Sequence, residues 1–448
     1  MKKSPEITHR DQLIAAIAKG EKPRSAWKIG TEHEKFVFDN KTLTRVGYEP
    51  GIRTLLEGLR GCGWQDYFEG EHLVAQRSES GASVTLEPAG QLELSGAPLS
   101  DLHQSCKEVN DHLRDVKTAC AAIDATVIGL GFDPITAQDD VPWMPKGRYE
   151  IMRRYMPTRG NLGTSMMTRT CTVQVNLDFC DEADMVKKMR VSMALQPLAT
   201  AIFANSPIRE GALSGYKSTR SLCWTDTDPD RCGLLPFVFE DGFGYERWVD
   251  YALNVPMYFL YDNHIYHDVA GLSFRDLLVG KLPGFAGRIA TEDDWEAHMT
   301  TMFPEVRLKS FIEMRGADAG TWKNLCALPA FWVGLLYDDT ALNDTYALIR
   351  EWDIDTIAAM RNAVPIHALH AKSPVGTMQD LAKLVLGFAD NGLRRRKRAG
   401  QVSEDECEYL QDLWHVAETG YTAADRLIEK FRREWQGDWR PIIQETAY

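Results

Sequence analysis

Long apolar runs are missing from this chain of 448 residues. No stretch reaches the ~18 consecutive apolar residues that a membrane helix needs, so a helical membrane partner is not expected. The amino-terminal stretch MKKSPEITHRDQLIAAIAKGEKP has two lysines but no apolar core. It does not read as a secretory signal, and the expected compartment is the cytoplasm. A C-x-x-C pair is missing too. The nine cysteines are Cys62, Cys106, Cys120, Cys171, Cys180, Cys223, Cys232, Cys326 and Cys407. Their odd number argues against a pure disulfide framework, and reduced thiols are the simpler reading. Positive charge is short: 51 basic residues face 64 acidic ones, for a net −13. A phosphate backbone would gain little from such a surface, so no nucleic-acid partner is expected. A nucleotide stays open, because metal ions bridge carboxylates to phosphates.

The familiar catalytic loops are absent as well. No G-x-x-x-x-G-K-[ST] occurs, since GKLPG at 280–284 lacks both the spacing and the hydroxyl. GLGFDP at 129–134 is too short a fragment of a dinucleotide loop. There is no H-E-x-x-H and no G-x-S-x-G, and His33 in TEHEKF reads as structural. ATP, if bound, must be held by metals and a sheet surface.

What is present is a soluble, mixed composition, 44% hydrophobic and 26% charged. No repeat or low-complexity linker divides the chain, so one domain over 1–448 is expected, mostly helical from about 322 onward. Periodicity predicts helices near 9–19, 51–60, 99–124, 183–203, 323–337, 376–391, 404–417 and 422–435. Ser100 is the expected N-cap of the third. RRRKR at 394–398 reads as a solvated loop beyond a helix ending near Gly392, and WTDTDPDR at 224–231 as a loop.

The strands carry more information. In TRTCTVQVNLDF, Thr170, Thr172, Gln174, Asn176 and Asp178 alternate with Cys171, Val173, Val175, Leu177 and Phe179. In EVRLKSFIEMR, Arg307, Lys309, Glu313 and Arg315 share one face. Gln91, Glu93 and Ser95 do so in GQLELSG, and Glu32 and Glu34 in IGTEHEKF. One-sided strands between helical stretches predict an antiparallel sheet backed by helices, in the α+β class. A water-washed face is the ordinary meaning of such alternation. Carboxylates, however, are depleted in strands, and several side by side would repel. Hard divalent cations such as Mg²⁺ would relieve that repulsion and grip a triphosphate.

The segments KIGTEHEKF, LEPAGQLELSGAPL, MPKGRYEIMRRYMP, RTCTVQVNLDF, LQPLATAIFANSP, WTDTDPDR, FPEVRLKSFIEMRGAD and LCALPAFWVGLLYD resemble, in order, the plant-type glutamate–cysteine ligases that also occur in bacteria. The resemblance runs from about Trp27 to the carboxy terminus. It implies a large antiparallel sheet forming a funnel, surrounded by helices and related to glutamine synthetase. It implies ATP as co-substrate and two or three Mg²⁺ ions. Glutamate would be phosphorylated on its γ-carboxylate and then joined to the amine of cysteine. Matched residue by residue, Glu32, Glu34, Glu87, Glu93 and Glu313 would be metal carboxylates. Arg315 would meet phosphate oxygens, and Gln174 and Asn176 would complete the polar floor. Arg220 would meet the α-carboxylate of glutamate, while Tyr258 and Trp322 would line the cysteine pocket.

One plant cysteine pair falls here on Val269 and Gly284, so that disulfide cannot form; Cys106 and Cys326 occupy the second pair's positions. The missing plastid leader fits a bacterial cytoplasmic enzyme. The expected partners are glutamate, cysteine and ATP, with the chain a monomer or homodimer. Two other readings remain open: a ligase for a different amine, and a metal- or nucleotide-binding relative without catalysis.

Overall fold

The computed structural model describes residues 4–262 and 265–448. Residues 1–3, part of the stretch weighed above as a signal, lie outside them.

Nine strands build the main sheet: β1 (Ile29–Asp39), β2 (Gln65–Glu69), β3 (His72–Arg77), β4 (Ser83–Leu86), β5 (Leu92–Ser95), β6 (Ala125–Ile128), β7 (Thr172–Leu177), β8 (Val306–Leu308) and β9 (Ile312–Asp318). Their order is β8-β9-β7-β1-β5-β4-β3-β2, with β6 on the far half of β1. Every pairing in it is antiparallel. EVRLKSFIEMR, expected as one strand, turns at Lys309–Phe311 into a hairpin. Arg307 pairs directly with Glu313 across it, so the polar residues still share a face.

The other face is buried because its alternate residues are apolar. Val173, Val175, Leu177, Ile312 and Met314 are almost fully covered and join one large core. The helices Glu182–Ile202 and Trp322–Leu336 supply much of that cover. The expected helices all form, within a few residues of the expected limits in most cases. Two details differ. The helix Leu102–Ala121 is capped by Asp101, whose side chain accepts from the Gln104 amide, and not by Ser100. The helix Met378–Arg398 runs through the basic stretch, which is no loop. Arg394, Arg395 and Arg396 pair there with Asp390, Asp338 and Glu406. Cys106 and Cys326 are buried free thiols in hydrogen-bond contact, which pushes Cys106 up.

Where Trp322–Leu336 crosses Met378–Arg398 the backbones nearly touch. A Cβ on Gly392 would lie 1.9 Å from the Gly334 carbonyl oxygen. Backbone cannot move aside as a side chain can. Gly392→Ala is therefore expected to cost about 1–3 kcal/mol, read as a lower urea midpoint at unchanged slope. An unchanged midpoint would show that this crossing is not tight.

Candidate active site

The polar face of the sheet floors a cavity of about 270 Å³. Register alone explains which side chains meet there. Glu34 of β1 stands opposite Glu93 of β5, and Glu32 opposite Gln174 of β7. Asn176 stands opposite Glu313 of β9, which stands opposite Arg307 of β8. Opposed residues share a face with Cβ atoms about 4.5–5.5 Å apart. Glu87 comes from the tight turn between β4 and β5. That turn needs the positive φ of Gly90, a conformation glycine takes freely. Gln91 locks it, accepting from the Ala89 amide at 3.0 Å and donating to the Met167 and Thr170 carbonyls, both at 3.1 Å. Glu32, Glu34, Glu87, Glu93, Gln174, Arg220 and Arg315 all line the cavity.

One end of the cavity is acidic. Withdrawal from water, then repulsion by Glu313 and Glu93, raises Glu32 to about 7. Withdrawal from water and repulsion by Glu87 raise Glu93 to about 7 as well. Glu34 is pushed well above the ordinary carboxylate range by the same loss of water and by Glu87 and Glu93. Two like charges at ~4 Å repel by roughly 4 kcal/mol in an effective dielectric of about 20. The few hydrogen bonds offered are not enough to offset this. Thr172 N donates to Glu34 at 2.9 Å, Thr85 Oγ1 to Glu93 at 2.8 Å, and Asn176 Nδ2 to Glu32 at 2.7 Å.

The other end is cationic. Glu313 is fully buried and does not border the cavity. It accepts both arms of the Arg307 fork at 2.9 Å, with Arg315 and Lys309 also on its oxygens. Those cations outweigh burial and hold it far below the usual range. Arg307, Lys309 and Arg315 border the cavity themselves. Arg315 donates to Gln174 Oε1 at 2.7 Å. Arg220 Nη2 donates to the Arg315 carbonyl at 2.8 Å, while Arg220 Nε has no partner among the described residues. Arg220 rides a short helix, Thr219–Cys223, whose cap Ser218 donates to Asp318 at 2.8 Å.

The side wall is apolar, built from Met152, Met166, Met167, Trp224, Phe259 and Phe303. Two expected pocket residues are absent from it. Tyr258 is fully buried one layer behind, its ring 3.8 Å under the Arg231 guanidinium. Trp322 opens the helix Trp322–Leu336 and lines a separate groove with Arg114, Lys117 and Tyr448. It packs on the back of the sheet because its helix covers that face. His33 points to the same side, 5.6 Å from His112. Residue order alone assigns no role in the site to Arg148, Arg307, Lys309, Trp224 or the three methionines, all of which line the cavity. Alternation already put Arg307 and Lys309 on the polar face; the others sit on helices and loops without a periodic signal.

Among the described residues, no group of three or more His, Cys, Asp or Glu side chains stands at metal-ligand spacing. The donor chemistry of the acidic end nevertheless suits a hard divalent cation. Glu32, Glu34, Glu87 and Glu93 supply oxygens that need a positive charge, and the buried Asn176 Oδ1 lacks a partner. Glu313 fits less well, since its oxygens are already taken. Because folding raises these acids from 4.5 toward 7, the stability they contribute is complete below pH 4.5 and is lost as pH rises through about 7. Melting in EDTA should therefore fall between pH 5.5 and 8, and Mg²⁺ should restore it at pH 8 but barely alter it at pH 5.5. An equal Mg²⁺ effect at both would contradict this.

Three comparisons bear on this geometry. The pattern of glutamate–cysteine ligase family 2 matches residues 28–445. The chain is 50% identical over 440 residues to rice glutamate–cysteine ligase B (Oryza sativa subsp. japonica), spanning 98% of this chain and 87% of that protein. It is 49% identical over 442 residues to the Arabidopsis thaliana enzyme, spanning 98% and 83%. Both relatives are named chloroplastic, and that finding overturns the expectation of a cytoplasmic protein. In fold, the chain resembles the Francisella tularensis glutamate–cysteine ligase solved with AMP. The TM-score is 0.56 at 12% identity, over 94% of this chain and 89% of that one. By sequence along nearly its whole length, the chain belongs to glutamate–cysteine ligase family 2.

Proposed function

We propose that this protein is an ATP- and Mg²⁺-dependent glutamate–cysteine ligase, joining the γ-carboxylate of glutamate to the amine of cysteine. The observation that carries the reading is the division of one cavity into an acidic end and a cationic end over a single sheet face. A carboxylate is a poor acyl donor, so it must first gain a leaving group. Transfer of the γ-phosphoryl of ATP to the glutamate γ-carboxylate makes an acyl phosphate and ADP. The cysteine amine then attacks the acyl carbon. The new C–N bond forms as the C–O bond to phosphate breaks, and phosphate leaves with the amine proton.

Each part of the cavity has a task in that sequence. Glu32, Glu34, Glu87 and Glu93 would hold Mg²⁺, which when bound supplies positive charge against the phosphate oxygens. Arg315 and Arg307 present fixed guanidinium forks to charge developing on the transferred group. Glu313 keeps those forks, and Lys309, in place. Arg220, with its free Nε, would take the α-carboxylate of glutamate, next to the Trp224 ring. The methionine and phenylalanine wall would take the cysteine side chain, a weakly polar group suited to such a surface. Most of the rate gain then comes from positioning and preorganised charge.

The test is phosphate release from ATP with glutamate and a panel of amines. Cysteine should give sustained release and the γ-glutamyl dipeptide; stronger turnover with another amine would reassign the acceptor. Glu34→Gln and Glu93→Gln should each lower kcat at least a hundredfold while melting no lower than the parent in EDTA. Parent-like turnover in either would remove that residue from the metal site.

A further inference from the structure

Arg220 is a buried cation whose charge is kept for a ligand. Among the described residues its Nε has no partner, and its Nη2 donates to a backbone carbonyl and not to a carboxylate. Withdrawal from water works against that charge, and Asp318 is the carboxylate that does most to sustain it. The chemistry assigned above gives Asp318 no task.

Asp318 reaches the Arg220 segment because of a slip in the sheet. β9 carries one extra residue against β7 between Met314 and Ala317, so Asp318 stands opposite Thr172, which lines the cavity. Unbroken alternation would have sent Asp318 to the core side with Met314. The carboxylate is almost fully buried and accepts three hydrogen bonds. They come from Ser218 Oγ at 2.8 Å, Ser206 Oγ at 2.6 Å and the Asn205 amide at 2.9 Å. Gly131 leaves it room, since a Cβ there would stand 2.3 Å from the Asp318 carboxyl carbon.

This arrangement dictates which way each proton points. An ionised carboxylate only accepts, and a serine has one hydroxyl proton. Both serines give theirs to Asp318, which turns their lone pairs toward the backbone. Ser218 Oγ accepts from the Ser221 amide at 3.1 Å, and Ser206 Oγ from the Arg220 amide at 3.3 Å. Thr219 Oγ1 adds a tie to the Ser206 carbonyl at 2.6 Å. The five-residue helix Thr219–Cys223 is too short to hold itself, so these contacts set its place.

We infer that Asp318 is the positioning residue for Arg220: through Ser206 and Ser218 it holds the short helix so that the guanidinium meets the α-carboxylate of glutamate. The inference rests on the ligase reading above and on the part of Arg220 in it. Asp318→Asn keeps the shape but trades one acceptor oxygen for an NH₂ donor. With Asn205 and Ser206 held on the remaining oxygen, the NH₂ faces Ser218, whose proton is left without an acceptor.

The experiment compares parent, Arg220→Lys, Asp318→Asn and Ser218→Ala, with melting temperature as the check on folding. Three quantities are read in each: KM for glutamate, KM for ATP, and kcat. Asp318→Asn and Ser218→Ala should each raise the glutamate KM about fivefold or more, with the ATP KM and kcat within about twofold. Arg220→Lys should raise the glutamate KM further. A merely structural role would lower the melting temperature without splitting the two KM values. Ser218→Ala decides the matter if Asp318→Asn does not fold, because losing one cap costs little. An unchanged glutamate KM in the folded variants, with Arg220→Lys impaired, would overturn the inference and leave the ligase reading standing. Equal losses for glutamate and ATP would also overturn it. A parent-like glutamate KM in Arg220→Lys would remove Arg220 from the glutamate site and this inference with it. A parent protein with no ATP-dependent turnover would end both the inference and the ligase reading.

Discussion

Four carboxyl groups meet at one end of a cavity, and three of them, Glu32, Glu34 and Glu93, have too little water to keep them charged. Most of what is particular to this protein follows from that constraint. The antiparallel register of β1 with β5 places Glu34 against Glu93, and Gly90 turns Glu87 in beside them. An arrangement that costs folding free energy on its own is a binding site in waiting, because a cation that relieves the repulsion is bound by the same amount. The site is thus built to be completed by metal.

The cationic end obeys the opposite rule. There Arg307, Arg315 and Lys309 all converge on Glu313, so three positive charges share one carboxylate and the end stays cationic with its side chains held in place. Guanidinium groups fixed in place lose little freedom when a phosphate arrives. The two ends divide the work: one binds charge from solution, the other presents charge it already holds. Behind them lie two apolar clusters, one under β7 and β9 and one under β4 and β5, that let a sheet carry such a face without unfolding.

Much of this was legible in the residue order, and the limits are physical. Period-two alternation marked the polar faces of β1, β5, β7 and β9, because a strand shows every second residue to the same side. It could not show that four distant segments would adjoin; the resemblance supplied that. Helix positions followed from apolar spacing, whereas the end at Arg398 was missed because a basic run reads as exposed even where its arginines meet acids. Tyr258 and Trp322 were misplaced because aromatic residues fill cores as readily as they line pockets. The methionine wall left no sign at all, since Met152, Met166 and Met167 come together only through tertiary packing.

The central claim is that cation binding and proton release are one event at Glu32, Glu34 and Glu93. Calorimetric titration of the metal-free protein with Mg²⁺, in buffers of different ionisation enthalpy, measures both at once. The account predicts net proton release at pH 7 that dwindles by pH 9, with affinity rising over the same span. Binding with no proton release at pH 7, or with affinity independent of pH, would contradict it.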